Sequence, residues 1–528
     1  MSFANMEERT LADTASARGV LADLSQRRGT YFSQEDYAST QPNAQWPALV
    51  GLFKQSKEDR KIHSLPLPNL SHCTRSEALT YFNNTWSLVE SLFTALKTEE
   101  AFYRIPYHQL RHPMIFYYGH PAIFYINKCR AAGLIKESVN DYFEDLFAVG
   151  VDEMSWDDMS KNHRPWPLIS EVMAYRSSVY DTIKKLIETH PAFETRPITQ
   201  DHPLWALFMC FEHDRIHLET SSVLIRELPL GYVKVPDRWA ESYSIRPKNM
   251  SEPLPTQDFP QNIFINLPQA DVSIGKPKSW PSYGWDNEYG ELHVTVPPFR
   301  ATQFLISNGE FLAFVKAGGY KHSVYWSEEG WQWRQFRSPV CPTFWVDEGS
   351  ADYKLRLCFE VVPMQWSWPV EVNFHEAFAY CQWRSQQDQQ KIPYRLITEA
   401  EHHRLRDPLR IDPVMVSGGR EMKSNNININ LAYGSSCPVN ASTPSRSGFY
   451  DTFGNVWEWS STHFSPLPGF KTHPLYEDFS TPCFDERHNM ILGGSFISTG
   501  DEASRWARFH FRRHFFQHVG FRLVQSVE

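Results

Sequence analysis

The chain has 528 residues, more than one hydrophobic core usually organises, so two domains plus tails are expected. Its formal net charge is −9 and no block of Lys and Arg forms a basic stripe, which argues against nucleic acid as a partner. The longest apolar run, 114–126, is too short to span a bilayer and contains a histidine, and the first twenty residues lack the apolar core of a secretory signal, so neither a membrane partner nor export is expected.

Residues 1–73 are polar, broken by Pro-rich pieces such as "HSLPLPNL", and read as an N-terminal extension. From 74 to 235 the pattern is helical. "TRSEALTYFNNTWSLVESLFTAL" sets Leu79, Phe82, Trp86, Val89 and Leu92 at three- and four-residue steps. "HPMIFYYGHPAIFYINKCRAAGLI" is apolar on most sides, as in a helix inside a bundle. "WPLISEVMAYRSSVYDTIKKLIETH" and "PLWALFMCFEHDRIHLETSSVLIREL" supply two more helices. Four such helices predict an antiparallel bundle, whose core can host a metal between facing helices.

After 235 the texture changes. "RPKNMSEPLPTQDFPQN" reads as a linker, and residues 236–528 carry short strands, Trp and Gly in irregular loops, with one or two helices, notably "PVEVNFHEAFAYCQWRSQQ". This predicts a loop-rich α+β domain. Eight cysteines are scattered without a CxxC pair, the usage of reduced thiols in the cytoplasm.

The chemistry centres on "HDRIHLET", 213–220. His213 and His217 stand four apart, one helical turn on one face, which suits two ligands to one ion. Asp214 occupies the place where a zinc protease of the HExxH type needs its glutamate base, so that chemistry is excluded. The pair sits in an apolar helix, where two histidines without a shared ligand are costly to satisfy. A third ligand is expected from a facing helix. His120 in "YYGHPAIF" is the leading candidate and His112 the runner-up, while His108 and His163 lie in polar segments. Glu219 points to another face and suits a supporting contact better than direct ligation. Three neutral imidazoles fit iron(II) or zinc, and the ligands alone do not choose.

Several longer stretches carry a resemblance: "LRHPMIFYYGHPAIFYINK", "FAVGVDEMSWDDM", "FEHDRIHLETSSVLIRELPL", "YGWDNEYG", "GNVWEW", "HPLYEDFSTPCFD", "RHNMILGGSFISTG" and "FHFRRHFFQHVGFR". From about 74 to 525 the chain resembles the 5-histidylcysteine sulfoxide synthases of ovothiol biosynthesis. The resemblance implies a DinB-like bundle followed by a formylglycine-generating-enzyme-like domain, a variant of the C-type lectin fold. It implies Fe(2+) held by His120, His213 and His217, and oxidative joining of L-cysteine sulfur to the imidazole of L-histidine by O2. The family's active-site tyrosine maps onto Tyr476, as hydrogen-bond or proton donor.

The two amino-acid substrates need charged partners. Arg512 and Arg513 are candidates for carboxylates, with pairing to acidic surface groups as the alternative. Asp152 and Glu153 are candidates for an ammonium, whereas Asp157 and Asp158 suit helix capping. Trp457 could wall the pocket, although "GNVWEW" reads first as structural, and Cys483 could reach the site from seven residues past Tyr476. Three departures stand out. No methyl-donor-binding segment follows "GFRLVQSVE", so ovothiol would need a separate methyltransferase. The fold's usual "RLPTEAEWE" appears as "RLITEAEHH", with Ile397 and His402. The paired cysteines of formylglycine-generating enzymes are missing near "SRWARFHFRR". Two rivals remain open: an ergothioneine-type synthase acting on trimethylated histidine, and a non-catalytic, metal-bound binding protein.

Overall fold

The computed structural model describes residues 61–104, 106, 111–148, 165–247, 252–349, 352–406, 411 and 426–527. Four helices form the N-terminal layer: α1 Arg75–Phe93, α2 Met114–Ala131, α3 Ile169–Thr189 and α4 Trp205–Glu227. The start of α1 is fixed locally. Thr74 accepts from the Glu77 amide, and the Glu77 carboxylate accepts from the Thr74 amide at 2.7 Å. In α2 every residue from Met114 to Ile126 is buried, as its all-round apolar pattern predicts. α3 is amphipathic and buries Val172, Tyr175, Val179, Ile183 and Leu186. α4 packs against α2 and α1, and α3 covers the other side of the same two helices.

Beyond residue 252 the chain forms small sheets and short helices. β1 Phe264–Leu267, β4 Phe299–Thr302 and β12 Val524–Ser526 make one antiparallel sheet with β4 central. β2 Ala270–Ile274 pairs with β3 Leu292–Val296, and β5 Trp345–Asp347, β6 Tyr353–Arg356 and β7 Val361–Pro363 form a meander. The largest sheet runs β10 Phe509–Arg512, β9 His488–Leu492, β8 Trp457–His463, β11 Val519–Gly520, with β11 parallel to β8. More helices occur here than the sequence pattern predicts: α5 Asn308–Lys316, α6 Glu328–Arg337, α7 Phe374–Gln387 and α8 Glu399–Leu405. Each opens on a Ser, Asn or Thr whose side chain accepts from the amide three residues on. Three are too short for their periodicity to stand out, so the caps are their clearest sequence signal.

Part of the expected extension is packed. Asn84 of α1 bonds both ways with residues 63–65, through His63 O and Leu65 N, and Arg215 donates to Ser64 Oγ at 2.7 Å. Residues 1–60 lie outside the described residues. No disulfide links the eight cysteines, all of them buried. Among the described residues no helix is long and apolar enough to cross a membrane.

Candidate metal centre and its surroundings

α4 is buried from Trp205 to Arg226 except at Ile216, although ten of those residues carry polar or charged side chains. Buried polar groups need partners, and here they divide by face. One face looks into the bundle and carries His213 and His217. A stripe at seven-residue spacing, Glu212, Glu219 and Arg226, reaches the C-terminal domain. Glu212 accepts from Tyr81 Oη (2.8 Å) and the Asp501 amide (2.7 Å). Glu219 accepts from Trp457 Nε1 (2.7 Å), Ser495 Oγ (2.7 Å) and Ser498 Oγ (2.6 Å). Arg226 grips Glu371 with two bonds, at 2.5 and 3.0 Å, and donates to the Arg356 carbonyl. Ser222 meets His518 Nε2 at 2.8 Å.

On the inner face, α2 presents His120 to the α4 pair. His213 Nε2 lies 3.3 Å from His120 Nε2 and 3.2 Å from His217 Nε2. The three ligand atoms form one buried cluster. Bonds of about 2.0–2.1 Å to a single ion place neighbouring nitrogens about 2.9–3.4 Å apart, so the observed spacing is that of imidazoles sharing a cation. Without one, the three rings could meet only through N–H···N bonds in an apolar pocket, which would leave the Nδ1 atoms of His213 and His217 without partners. Burial is the main reason that His120 is pulled down to about 4 and that His213 and His217 fall well below the usual histidine range. All three are therefore neutral, as a metal ligand must be. The donor set fits a divalent transition metal with open positions.

The supporting contacts are specific. His120 Nδ1 lies 2.7 Å from the Phe147 carbonyl, which fixes the N–H on Nδ1 and leaves Nε2 a lone pair toward the cluster. Gly119 makes this possible, because a Cβ there would meet the Phe147 ring at 2.6–2.7 Å. Phe124 stacks on His213 with centroids 3.6 Å apart, and Phe116 on His120 at 5.0 Å. His112 is not part of the cluster; it packs on Phe116 at 4.2 Å, one aromatic layer back.

The second domain closes the site. Tyr476 lies 6.2 Å from His213 and 5.1 Å from Phe124, ring centroid to centroid. Burial, with Asp478, Cys483 and Asp286 nearby, pushes its phenol pKa upward, so the hydroxyl stays protonated. Its loop is held from both domains. Lys128, about two turns beyond His120 on α2, donates to the Leu475 carbonyl at 2.6 Å, and its ammonium lies 4.2 Å from the Tyr476 ring centroid. "YGWDNEYG" supplies Trp285, stacked on Phe479 at 3.9 Å, and Asp286, which accepts from Ser480 at 2.5 Å. Buried Lys276 then bridges Glu288 and Asp501, joining this motif to the segment that caps Glu212. Lys128, Phe147 and Trp285 are the contributors that sequence reasoning missed. Lys128 was findable from helical periodicity, whereas a backbone carbonyl leaves no sequence signal.

The other expected residues fall elsewhere. Trp457 is 1% exposed and tied to Glu219, so it sits at the domain junction. Arg513 donates to Glu329, Asn489 and the Glu486 carbonyl, the acidic-partner alternative of the two readings. Arg512 lies on β10 opposite His488. Cys483 packs with Phe464, Met490 and Leu492. Asp152, Glu153, Asp157, Asp158, His108 and His163 lie outside the described residues. Ile397 is fully buried among apolar side chains, and His402 accepts from Arg406 Nε at 2.7 Å.

Comparison with known proteins adds family context. Residues 81–221 match the DinB superfamily, and residues 248–527 match the sulfatase-modifying factor enzyme 1-like domain. Ergothioneine biosynthesis protein 1 of Schizosaccharomyces pombe is 23% identical over 532 residues, covering 93% of this chain and 59% of that protein. Hercynine oxygenase of Mycobacterium tuberculosis is 32% identical over 219 residues, 40% of this chain and 48% of that protein. The formylglycine-generating enzyme of Thermomonospora curvata is 26% identical over 300 residues, 48% of this chain and 91% of that protein. The chain thus spans about half to three-fifths of the first two relatives. A DinB-like helical domain comes first, and with the second match covering more than half of its length, the chain belongs to the sulfatase-modifying factor enzyme 1-like domain family.

Proposed function

We propose that this protein is an iron(II)- and O2-dependent sulfoxide synthase of the ergothioneine type, joining the sulfur of a cysteine-type thiol to the imidazole of trimethylated histidine (hercynine). The observation that carries the reading is the convergence of His120, His213 and His217 in one domain opposite Tyr476 from the other. One relative is named a hercynine oxygenase and another an ergothioneine biosynthesis protein, which supports hercynine over histidine. Phe124, Trp285, Tyr476 and Phe479 form an aromatic cluster beside the histidines, and the Lys128 ammonium already lies against the Phe124 and Tyr476 rings. Arg513 of "FRRHFF", a candidate carboxylate partner on sequence, is occupied by Glu329 and Asn489.

In this reading His120, His213 and His217 hold Fe(2+), which supplies thiolate binding and O2 reduction when bound. The chain's own work is positional and protic. Phe147 keeps His120 in the tautomer that ligates through Nε2. Phe116, Phe124 and Phe147 exclude water from the histidine cluster. Tyr476 holds a proton at its phenol oxygen beside the site, and Lys128, bonded to the neighbouring carbonyl, keeps that ring in place. Holding two small zwitterions in one orientation supplies much of the rate.

The test is turnover. Anaerobic protein loaded with Fe(2+) is mixed with O2, with cysteine or γ-glutamylcysteine, and with hercynine or histidine, while O2 uptake and product mass are followed. Sulfoxide formation with hercynine is expected. Turnover confined to histidine moves the assignment to the ovothiol type, and tight zinc with no O2 uptake leaves a non-catalytic metal protein. His213→Ala should lose the bound iron; retained iron at full stoichiometry refutes the centre.

A further inference from the structure

A second group of metal-ligating side chains lies outside the histidine centre. Cys483, His488 and His510 bring one ligand atom each within 4.8 Å of one another, with Cys483 and His488 buried and His510 half-buried. The fold explains why they meet. On the antiparallel pair β9–β10, His488 is opposite Arg512 and Met490 is opposite His510. The two histidines are therefore diagonal neighbours on one face of the sheet, the separation that long side chains bridge. Cys483 comes from the turn Thr481–Cys483, which lays it over that face among Phe464, Met490 and Leu492.

Two further contacts shape the group. His488 Nδ1 lies 2.8 Å from Asp485 Oδ1, so a carboxylate holds the N–H on Nδ1 and the ring can ligate through Nε2. This carboxylate–histidine pairing is the usual support of a metal-binding imidazole. The His510 ring stacks on Phe464 with centroids 3.8 Å apart and stands nearly perpendicular to His488, at 87°. One soft sulfur and two imidazoles are a donor set for a thiophilic, borderline ion. Bonds of about 2.3 Å to sulfur and 2.0–2.1 Å to nitrogen need ligand atoms about 3.3–3.6 Å apart at tetrahedral angles. From the present spacing that is an adjustment of about 1 Å or so in side-chain torsions.

We propose that Cys483, His488 and His510 form a second metal site, for a zinc-class ion, with Asp485 as the supporting carboxylate. The ion would fasten the segment from Tyr476 to Cys483 onto β9 and β10, and so set the frame from which Tyr476 reaches the histidine centre. Its role is positional, because none of its ligands belongs to the histidine centre.

Cobalt(II) is the probe, because a cobalt–thiolate bond gives a near-ultraviolet charge-transfer band that a three-histidine site cannot produce. Metal-free full-length protein is titrated with Co(II) and bound metal is counted after gel filtration. Two equivalents are expected, one of which develops the thiolate band. Cys483→Ser should abolish the band and one equivalent while the other remains. Asp485→Asn should weaken the banded site by roughly 10–100-fold. A His120→Ala, His213→Ala double variant should keep the band. Wild-type protein that binds Co(II) without a thiolate band overturns the proposal, and that measurement needs no variant to fold.

Discussion

The Glu219 carboxylate links the two domains through three hydrogen bonds, and its removal can be worked through from geometry. Three donors converge on a side chain that is 3% exposed: Trp457 Nε1 and Ser495 Oγ on Oε1, and Ser498 Oγ on Oε2. Glu219→Gln keeps the shape and an acceptor for Trp457 and Ser495. Its amide would face Ser498, whose hydroxyl can turn and accept, so the loss is mainly of charge assistance, about 1–2 kcal/mol. Glu219→Ala leaves three buried donors without their acceptor, each worth about 1–3 kcal/mol. Ser495 and Ser498 already lie 3.3 Å apart and can partly satisfy each other, which lowers the expected total to about 3–5 kcal/mol. The indole N–H cannot turn, so Trp457→Phe should recover about 1–2 kcal/mol of the alanine loss when the two are combined. Urea unfolding followed by far-ultraviolet circular dichroism gives these values for the first transition, the relevant one in a two-domain chain. An alanine variant no less stable than the glutamine variant would refute the account. So would a double-mutant cycle in which Trp457→Phe and Glu219→Ala simply add.

Other expectations concern the site and its pH dependence. Tyr476→Phe should lower turnover by about 10²–10⁴-fold, the usual range for a positioned proton donor, with iron content unchanged; full activity would remove the tyrosine from the chemistry. Gly119→Ala should displace the Phe147 ring, and with it the carbonyl that orients His120, weakening metal affinity by about 10–100-fold in a chelator competition. His518 is buried, which disfavours its charge, but Cys358 and Glu371 outweigh burial and hold it up at about 9. A folded pKa above the unfolded 6.5 means that this stabilisation is complete below pH about 6.5 and lost as pH rises through about 9, on the order of 3 kcal/mol in all. Stability measured across that window should fall in the wild type and stay flatter in His518→Gln; parallel curves would exclude the linkage.

Much of the bundle was legible because helices write their geometry locally. The His213–His217 spacing fixes a shared face, and the apolar run around His120 marks a helix that must lie inside. Tyr476 came from motif resemblance, since nothing near it in sequence points to histidines more than 250 positions away. The arginine reading turned on sheet register. β10 ends at Arg512, and whether Arg513 faces a ligand or Glu329 depends on strand pairing that "FRRHFF" does not encode by itself. Glu219 was read as a support behind the ligands. Its actual partners, 238 to 279 residues on, lie beyond any local pattern, and they make it an anchor between domains.

The stripe of Glu212, Glu219 and Arg226 turns α4 into an axle with a load on each side. Side chains reach about 5–6 Å from a helix axis, so a 10° twist of α4 imposed from the C-terminal domain would carry the His213 and His217 nitrogens by about 1 Å. Misplacement on that scale is enough to cost about two orders of magnitude in a catalysed rate. Domains exchanged between relatives would therefore inherit the histidines without the alignment unless Trp457, Ser495, Ser498 and Glu371 travelled with them. The two halves are a matched pair, and selection on either one acts on the tuning of the other.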